Sequence, residues 1–483
     1  MKKSLFFGFL LLGQMALAQT GSVTDTVNVL PFFIDPTKRM PDFELEEKKE
    51  GTFVTGLPRF EFDPIRGFGA GGNVNLFVNK NRNDPFFAYT PYRYNVYAEF
   101  FIFENGRIRY SLNFDAPYIF NSQWRLRIDA VHWEDPHAQY WGIGRSSLNP
   151  LTFLDKRTGV TRPFGRVRDY EENLALAEQG ADGRLYTDFH YNHFYQRERL
   201  YNVLGERVML GGKLRLMFGY EALFTSFSSY GGSVAEEAYA LDGTAVDAIN
   251  NPTLVERQKE DGTWTRFNLG GFTEDYQFTS MLAGALIYDT RDYEPDPSNG
   301  VFLQYSHEHS GTWLGSDFSF NKFMVQGQFI RTLKRWRNDK NRLTFAGMAS
   351  LGHIFGSNIN FIEMWDLSSQ AEAGGILVLG GGRSLRGFRE ARFLAPTVAL
   401  VNLELRSRLY DFNFARQHFS LGLTPFYDMG SVWDSLRDVN LQQWRGAPGI
   451  GGRINWNQST VIRLDYASSR EGSQFFFGFG HIF

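Results

Sequence analysis

The most pointed chemistry in the chain lies in ten residues, LGGGRSLRGF, from Leu379 to Phe388. Gly380, Gly381 and Gly382 open backbone conformations closed to other residues, and Gly387 adds a fourth permissive position. Among them stands Arg386, flanked by Leu385, Gly387 and Phe388. A guanidinium is a planar fork that grips carboxylates through paired hydrogen bonds, which a lysine ammonium does not reproduce. Two carboxylates come later at suitable positions. In ALVNLELRSRL, Asn402, Glu404 and Arg406 alternate with Val401, Leu403 and Leu405, so a strand puts the polar three on one face. In FYDMGSVWD, Phe426, Asp428 and Gly430 share a face in the same way. If the glycine-rich stretch folds back on these strands, Arg386 reaches Glu404 and Asp428. Breaking such a buried pair costs about 3–5 kcal/mol, enough to free a loop. The residues alone equally allow a flexible glycine loop with a solvated arginine.

Other constellations carry less. The glycine run lacks the GK[ST] of a phosphate loop, and neither a G-x-S-x-G elbow nor an H-E-x-x-H helix occurs. His307 and His309 share a strand face but have no visible third ligand, and His190 and His193 are expected on opposite faces of a strand. The absence of cysteine excludes disulfides, thiol catalysis and thiolate metal sites. The expectation is a non-enzyme without metal or cofactor. A formal net charge of -3 offers nothing to nucleic acid.

The elements that must hold Arg386 show as alternation. In RIRYSLNFD, Ile108, Tyr110, Leu112 and Phe114 alternate with Arg107, Arg109, Ser111, Asn113 and Asp115. WRLRIDA at 124–130 and YRYNVYAEF at 92–100 repeat the pattern. Each segment reads as a strand with one apolar, often aromatic face and one charged face. Aromatic residues make up 16% of the chain while mean hydropathy is only -0.32, as suits segments greasy on one side alone. The start, MKKSLFFGFLLLGQMALAQT, has the basic, apolar and A-x-A regions of a signal peptide over 1–18. Later stretches fall short of the ~20 apolar residues of a transmembrane helix. The fold expected is all-β: a transmembrane antiparallel barrel of about sixteen strands.

The spacing predicts strands near 66–79, 92–104, 106–118, 123–134, 137–145, 184–203 and 207–227. Nine more lie between 276 and 483. Turns at 104–106, 296–300 and 457–459 would face the periplasm, and long loops near 146–183, 228–275 and 357–396 would face outward. The barrel is expected over 61–483, preceded by a periplasmic tail over 19–60 whose charge run, Glu44 to Glu50, reads as solvated. Gly67, Gly69, Gly71 and Gly72 crowd the first expected strand, Gly478 and Gly480 the last, and Phe483 ends it. Glycine supplies no cross-strand packing. These strands would therefore form either a weak seam able to open sideways or a relieved corner.

GGGRSLRGF resembles the V/I/L-R-G-F/Y loop motif of the BamA/TamA-type outer-membrane assembly superfamily. Four further stretches resemble that family in order: DTRD at 289–292 with Pro297 and Gly300, NLELR at 402–406, FYDMGSVW at 426–433, and RLDYA at 463–467 with FGFGHIF at 477–483. Earlier in the chain, YWGIG at 140–144 is the best match. The resemblance implies a sixteen-strand barrel with this loop tucked inside, Arg386 as the loop arginine, and Glu404 and Asp428 as its wall partners. It also implies location in the outer membrane of a Gram-negative bacterium and a part in inserting or translocating proteins. The partners implied are outer-membrane lipid, nascent outer-membrane proteins and periplasmic or membrane partner proteins. The family's POTRA modules, each about seventy-five residues, find no room in the roughly forty residues before the expected barrel. A passive channel remains an alternative, as does a binding barrel that uses loops 146–183 and 228–275.

Overall fold

The computed structural model describes residues 30–40, 45–46, 48–63, 67–292, 296–336, 341–365, 378–414, 417–456 and 460–483. The expected signal peptide over 1–18 and the expected turn at 457–459 lie outside them. Sixteen strands pair antiparallel, each with the next along the chain. They are β1 (Gly51–Asp63), β2 (Gly67–Lys80), β3 (Tyr94–Phe103), β4 (Ile108–Ala116), β5 (Trp124–Gln139), β6 (His193–Met209), β7 (Leu214–Ser228) and β8 (Gln277–Asp289). Then come β9 (Asn299–Ser310), β10 (Ser319–Trp336), β11 (Asn341–Asn360), β12 (Thr397–Arg408, resumed at Tyr410–Phe414), β13 (Gln417–Trp433), β14 (Arg445–Trp456), β15 (Thr460–Ser469) and β16 (Gly472–Phe479). β16 meets β1, which closes the cylinder.

Alternation sorts the side chains as expected. On β9, Leu303 and Tyr305 are exposed outward, whereas Gln304, Ser306 and Glu308 are buried inside. On β10, Val325 and Phe329 face out, whereas Lys322, Gln326 and Gln328 face in, and Lys322 joins Glu308 at 2.6 Å and Glu363 at 2.7 Å. The outer apolar band suits lipid and the charged lining suits a lumen.

The count of sixteen agrees with the sequence reading, but two strands change places. The segment 137–145 is not a strand of its own. β5 runs on to Gln139, and its ladder with β6 absorbs Pro136 as a bulge, since Phe194 faces Ala138 while Gln196 faces Asp135. The missing strand is β1, which the sequence reading placed inside a tail. Gly56 and Pro58 blur its pattern, yet it pairs with β2 from Gly51↔Lys80 to Asp63↔Gly67. The barrel therefore starts at 51 rather than 61. The exchange also moves the turn at 104–106. Dropping one strand before residue 146 and adding one at the front places this turn at the end of the long connections 140–192, 229–276 and 361–396, not at the opposite end.

The seam moves too. Gly67, Gly69, Gly71 and Gly72 belong to β2 and lie between β1 and β3 rather than at closure. Their work is steric. A Cβ on Gly71 would lie 2.2 Å from the Phe100 carbonyl oxygen, and one on Gly69 would lie 2.5 Å from the ring of Phe101. Gly478 sits on the lumen face of β16, whereas Gly480 and Phe483 lie beyond the strand. Phe483 turns inward, where its backbone oxygen accepts from Arg406 Nη2 at 2.9 Å. Among the described residues, closure rests on one registered pair, Phe62↔Phe477. Pro58, which lacks an N–H, is tolerated in a strand with one poorly laddered edge.

Residues 30–40 and 48–50 form a strap across the short-turn end. Ile34 packs with Phe86 and Tyr118. Asp35 donates its N–H to the Gly211 carbonyl at 2.8 Å and pairs with Lys213 at 2.7 Å. Met40 donates to the Ala88 carbonyl at 2.8 Å, and Lys48 Nζ to the Thr90 carbonyl at 2.6 Å. Lys48, in the run read as solvated, is thus held against the rim. Burial, opposed by Asp84 and aided by Arg93, pushes its ammonium down to about 8.

Asp35→Ala removes a part-exposed ion pair. Trypsin should then cut after Lys38 and Arg39 about fivefold faster, with the barrel still shifting on heating in gel electrophoresis. Unchanged cleavage would mean that this pair does not hold the strap.

Candidate functional site

The connection from β11 to β12 returns into the lumen. Gly380 has φ 118°, and a Cβ there would lie 2.0 Å from the Arg389 carbonyl oxygen, so the close turn demands glycine. Ser384 locks that turn. Its Oγ accepts from the Gly380 N–H at 3.1 Å and lies 2.8 Å from the Gly380 carbonyl, to which it donates. Leu385 and Phe388 are buried among apolar neighbours, with Phe388 edge-on to Phe393 at 5.0 Å.

This frame carries Arg386 to the wall, where its side chain is 0% exposed. Nε donates to Asp428 Oδ2 at 2.7 Å and Nη2 to Asp428 Oδ1 at 2.8 Å, the two-pronged geometry expected of a guanidinium. Nη1 donates to Glu404 Oε1 and to Asp465 Oδ2, both at 3.0 Å. The Arg386 backbone N–H also reaches Asp428 Oδ2, at 3.2 Å. The ring of Phe426 lies 3.4 Å from the guanidinium carbon, adding an aromatic face to the cation. Burial pulls the pKa of this guanidinium down, but Asp428, Glu404 and Asp465 more than reverse it and leave it raised.

The three acids need more than one cation. Arg406 Nε donates to Glu404 Oε2 at 2.8 Å, and Arg453 Nη1 to Asp465 Oδ1 at 2.5 Å. Arg463 Nε lies 3.6 Å from Asp465 Oδ2, and its Nη1 donates to the Gly382 carbonyl at 3.0 Å. Asn402 Nδ2 bridges Asp428 Oδ1 and the Ser384 carbonyl, both at 2.8 Å. A buried ionic cluster therefore joins the loop to four adjacent strands, β12 to β15.

The structure brings together Arg386, Glu404 and Asp428 as the sequence suggested. Asp465 was missed as a partner, although RLDYA alternates so that Arg463 and Asp465 share the face opposite Leu464 and Tyr466. Barrel curvature brings it within reach. Also missed was the cap above the loop. Trp141 Nε1 donates to the Glu390 carbonyl at 3.0 Å, and the Gly144 N–H to the Leu394 carbonyl at 2.8 Å, so YWGIG clasps the loop from outside. Arg389 pairs with Glu171 at 2.6 Å and Arg392 with Glu471 at 2.8 Å. Long connections that the sequence sends outward thus fold over the mouth. Tyr140, Ile143, Trp264, Phe267 and Phe361 share one apolar core with Leu385 and Phe388.

Of the two histidine pairs, His307 and His309 share a strand face as expected, whereas His190 and His193 depart from expectation. His307 and His309 both address Asn321 Oδ1, at 3.2 and 2.9 Å. His190 and His193 do not occupy opposite faces of one strand, because β6 begins at His193 and His190 lies in the preceding turn. The two converge with His137.

Arg386→Ala leaves buried Asp428 without its cation, while Glu404 keeps Arg406 and Asp465 keeps Arg453, at a cost of about 3–5 kcal/mol. The barrel should stay assembled while protease cleavage within 378–396 accelerates. Arg386→Lys should fail to restore protection, because one ammonium cannot reproduce the fork. Equal protection in all three proteins would refute a latch.

A family model described as the Omp85 superfamily domain matches residues 68–483, and one described as a domain of unknown function (DUF5982) matches residues 30–93. The second span takes in the strap, β1 and β2. Similar solved structures include BamA from Haemophilus ducreyi lacking POTRA domains 1-3, at 11% identity over 89% of this chain and 70% of that one, with a TM-score of 0.49. CdiB from Escherichia coli is 9% identical over 89% and 63%, with a TM-score of 0.49, and CdiB from Acinetobacter baumannii 9% over 89% and 60%, with a TM-score of 0.44. This chain thus spans between 60% and 70% of the length of those structures. The family match runs through every strand from β2 to β16 and contains the five stretches that carried the sequence resemblance, so the chain belongs to the Omp85 superfamily.

Proposed function

We propose that this barrel assists insertion or translocation of proteins at the outer membrane of a Gram-negative bacterium and catalyses no reaction. Membership of the Omp85 superfamily supports the class. The observation that carries the mechanism is the closure between β1 and β16, which among the described residues has the one registered pair Phe62↔Phe477. Sheet edges template incoming strands, because unpaired N–H and C=O groups seek partners. Here a client strand would displace little ladder to add to β1. The outward Phe62, Val54 and Phe60 would meet lipid at that point. The strap lies at the end holding both termini of the cylinder, the periplasmic end in this reading, where soluble partner proteins would dock.

An open solute channel is the weaker reading. The inward loop and the apolar cap fill the mouth, and the ionic cluster ties the loop to the wall.

Two measurements bear on this function. Depleting the protein and quantifying the outer-membrane proteome should lower many other barrels together, and an unaltered proteome would remove the assembly role. The chain has no cysteine, so Phe62→Cys with Phe477→Cys gives one isolated pair. Directly paired antiparallel residues sit about 4.5–5.5 Å apart at Cα, within disulfide range. Oxidised protein should remain a folded barrel but lose complementation, with recovery on reduction. Full complementation by the locked form would eliminate lateral opening.

A further inference from the structure

Three histidines that the ionic latch does not use meet at the long-loop end: His137 near the end of β5, His190 in the turn before β6, and His193 at the start of β6. One ligand nitrogen from each lies within 4.8 Å of the others. The rings are not stacked like a simple aromatic cluster. His137 is nearly parallel to His190 at 5.7 Å, whereas His193 stands edge-on to both, at 5.6 and 5.8 Å. Nitrogen lone pairs can therefore converge from different directions.

Hydrogen bonding around His190 settles which nitrogen carries its lone pair. Ser233 Oγ donates to the Tyr230 carbonyl at 2.6 Å, and Asn250 Nδ2 donates to Ser233 Oγ at 3.1 Å. The Asn250 amide is thereby oriented with Oδ1 toward His190 Nδ1, at 3.2 Å. A carbonyl oxygen only accepts, so Nδ1 bears the proton and Nε2 the lone pair. That Nε2 is buried and has no hydrogen-bond partner, on a residue 1% exposed. His193 Nδ1 is likewise buried and unpartnered. Two orphaned imidazole nitrogens are costly unless something binds them. The ring of Tyr230 lies 4.0 Å from that of His190 and holds it in place. Glu236 Oε2, 3.4 Å from His137 Nε2, adds an anionic oxygen at the open side. Arg389, a cation of this region, is paired with Glu171.

We propose that His137, His190 and His193 form a binding site for a divalent transition ion of the zinc class. Imidazole suits Zn2+, Cu2+ and Ni2+, whereas Ca2+ and Mg2+ demand oxygen ligands. Tetrahedral zinc with ~2.0–2.1 Å bonds needs nitrogens ~3.4 Å apart, so small ring rotations complete the set. An oriented His190 with a carbonyl on its far nitrogen is the arrangement that fixes a metal-binding tautomer. The ion would staple His190, at the end of the 140–192 connection, to the rim of β5 and β6, and so brace the 229–276 connection, whose Tyr230, Glu236 and Asn250 pack on His190 and His137.

The test uses the full chain purified in detergent and stripped with a chelator. Titration calorimetry with Zn2+ should show one ion per chain, and Co2+ should give the visible absorption of a tetrahedral nitrogen-ligated ion. His137→Gln with His193→Gln should abolish binding, with folding checked by heat-modifiable migration. Asn250→Ala, outside the ligand set, should weaken binding about 10–100-fold. Zn2+ should also slow proteolysis within 229–276 in the wild type alone. Absence of stoichiometric Zn2+ binding by the wild type, equal binding by the folded double variant, or equally strong binding of Ca2+ would each overturn the site.

Discussion

A backbone amide facing lipid must find its hydrogen bond within the protein, because the hydrocarbon offers none. That constraint shapes the rest of this structure. It requires the strands to close on themselves, and closure forces alternate residues into an enclosed lumen. Charges that alternate with aromatics along β3, β4, β9 and β10 thus face one another across the interior rather than bulk water. Lys322, held between Glu308 and Glu363, illustrates the consequence: inside the cylinder, each ion needs a counter-ion nearby.

The Arg386 cluster applies this logic at highest density. Three acids and four arginines from one loop and four strands are buried together, and no single pair accounts for it. A buried ion pair is a poor source of net stability, but removing one member is expensive, which makes it a good latch. The loop gains position from it. Its outer side is held by different means, through Trp141, Gly144 and the Arg392–Glu471 pair. The loop is thus clasped between wall and cap, while the cylinder around it closes between β1 and β16.

Legibility in the sequence tracked the range of the interaction. Period-two alternation is local, so most strands and their facing could be read directly. The shared facing of Glu404 and Asp428 was legible because the two acids lie on consecutive strands whose alternation sets it, while the inward fold that brings Arg386 to them followed from the family resemblance. Asp465 was not, because nothing local says that curvature brings β15 to the same guanidinium. β1 was hidden by Gly56 and Pro58, residues that weaken a strand signal yet suit a poorly laddered edge. The extra strand at 137–145 arose because no local pattern shows that β5 continues past Pro136, where the β5–β6 ladder bulges. That error preserved the total while reversing the side of the 104–106 turn.

By itself, then, the sequence determined an alternating, aromatic-faced antiparallel barrel, because side-chain period is local, whereas its total of sixteen rested on two errors that cancelled and the tucked arginine loop with two of its wall acids rested on the family resemblance. Tertiary structure alone decided where the cylinder closes, which long connections cap it, and that His137 joins His190 and His193. Each of those depends on contacts between segments tens to hundreds of residues apart, which no local pattern encodes.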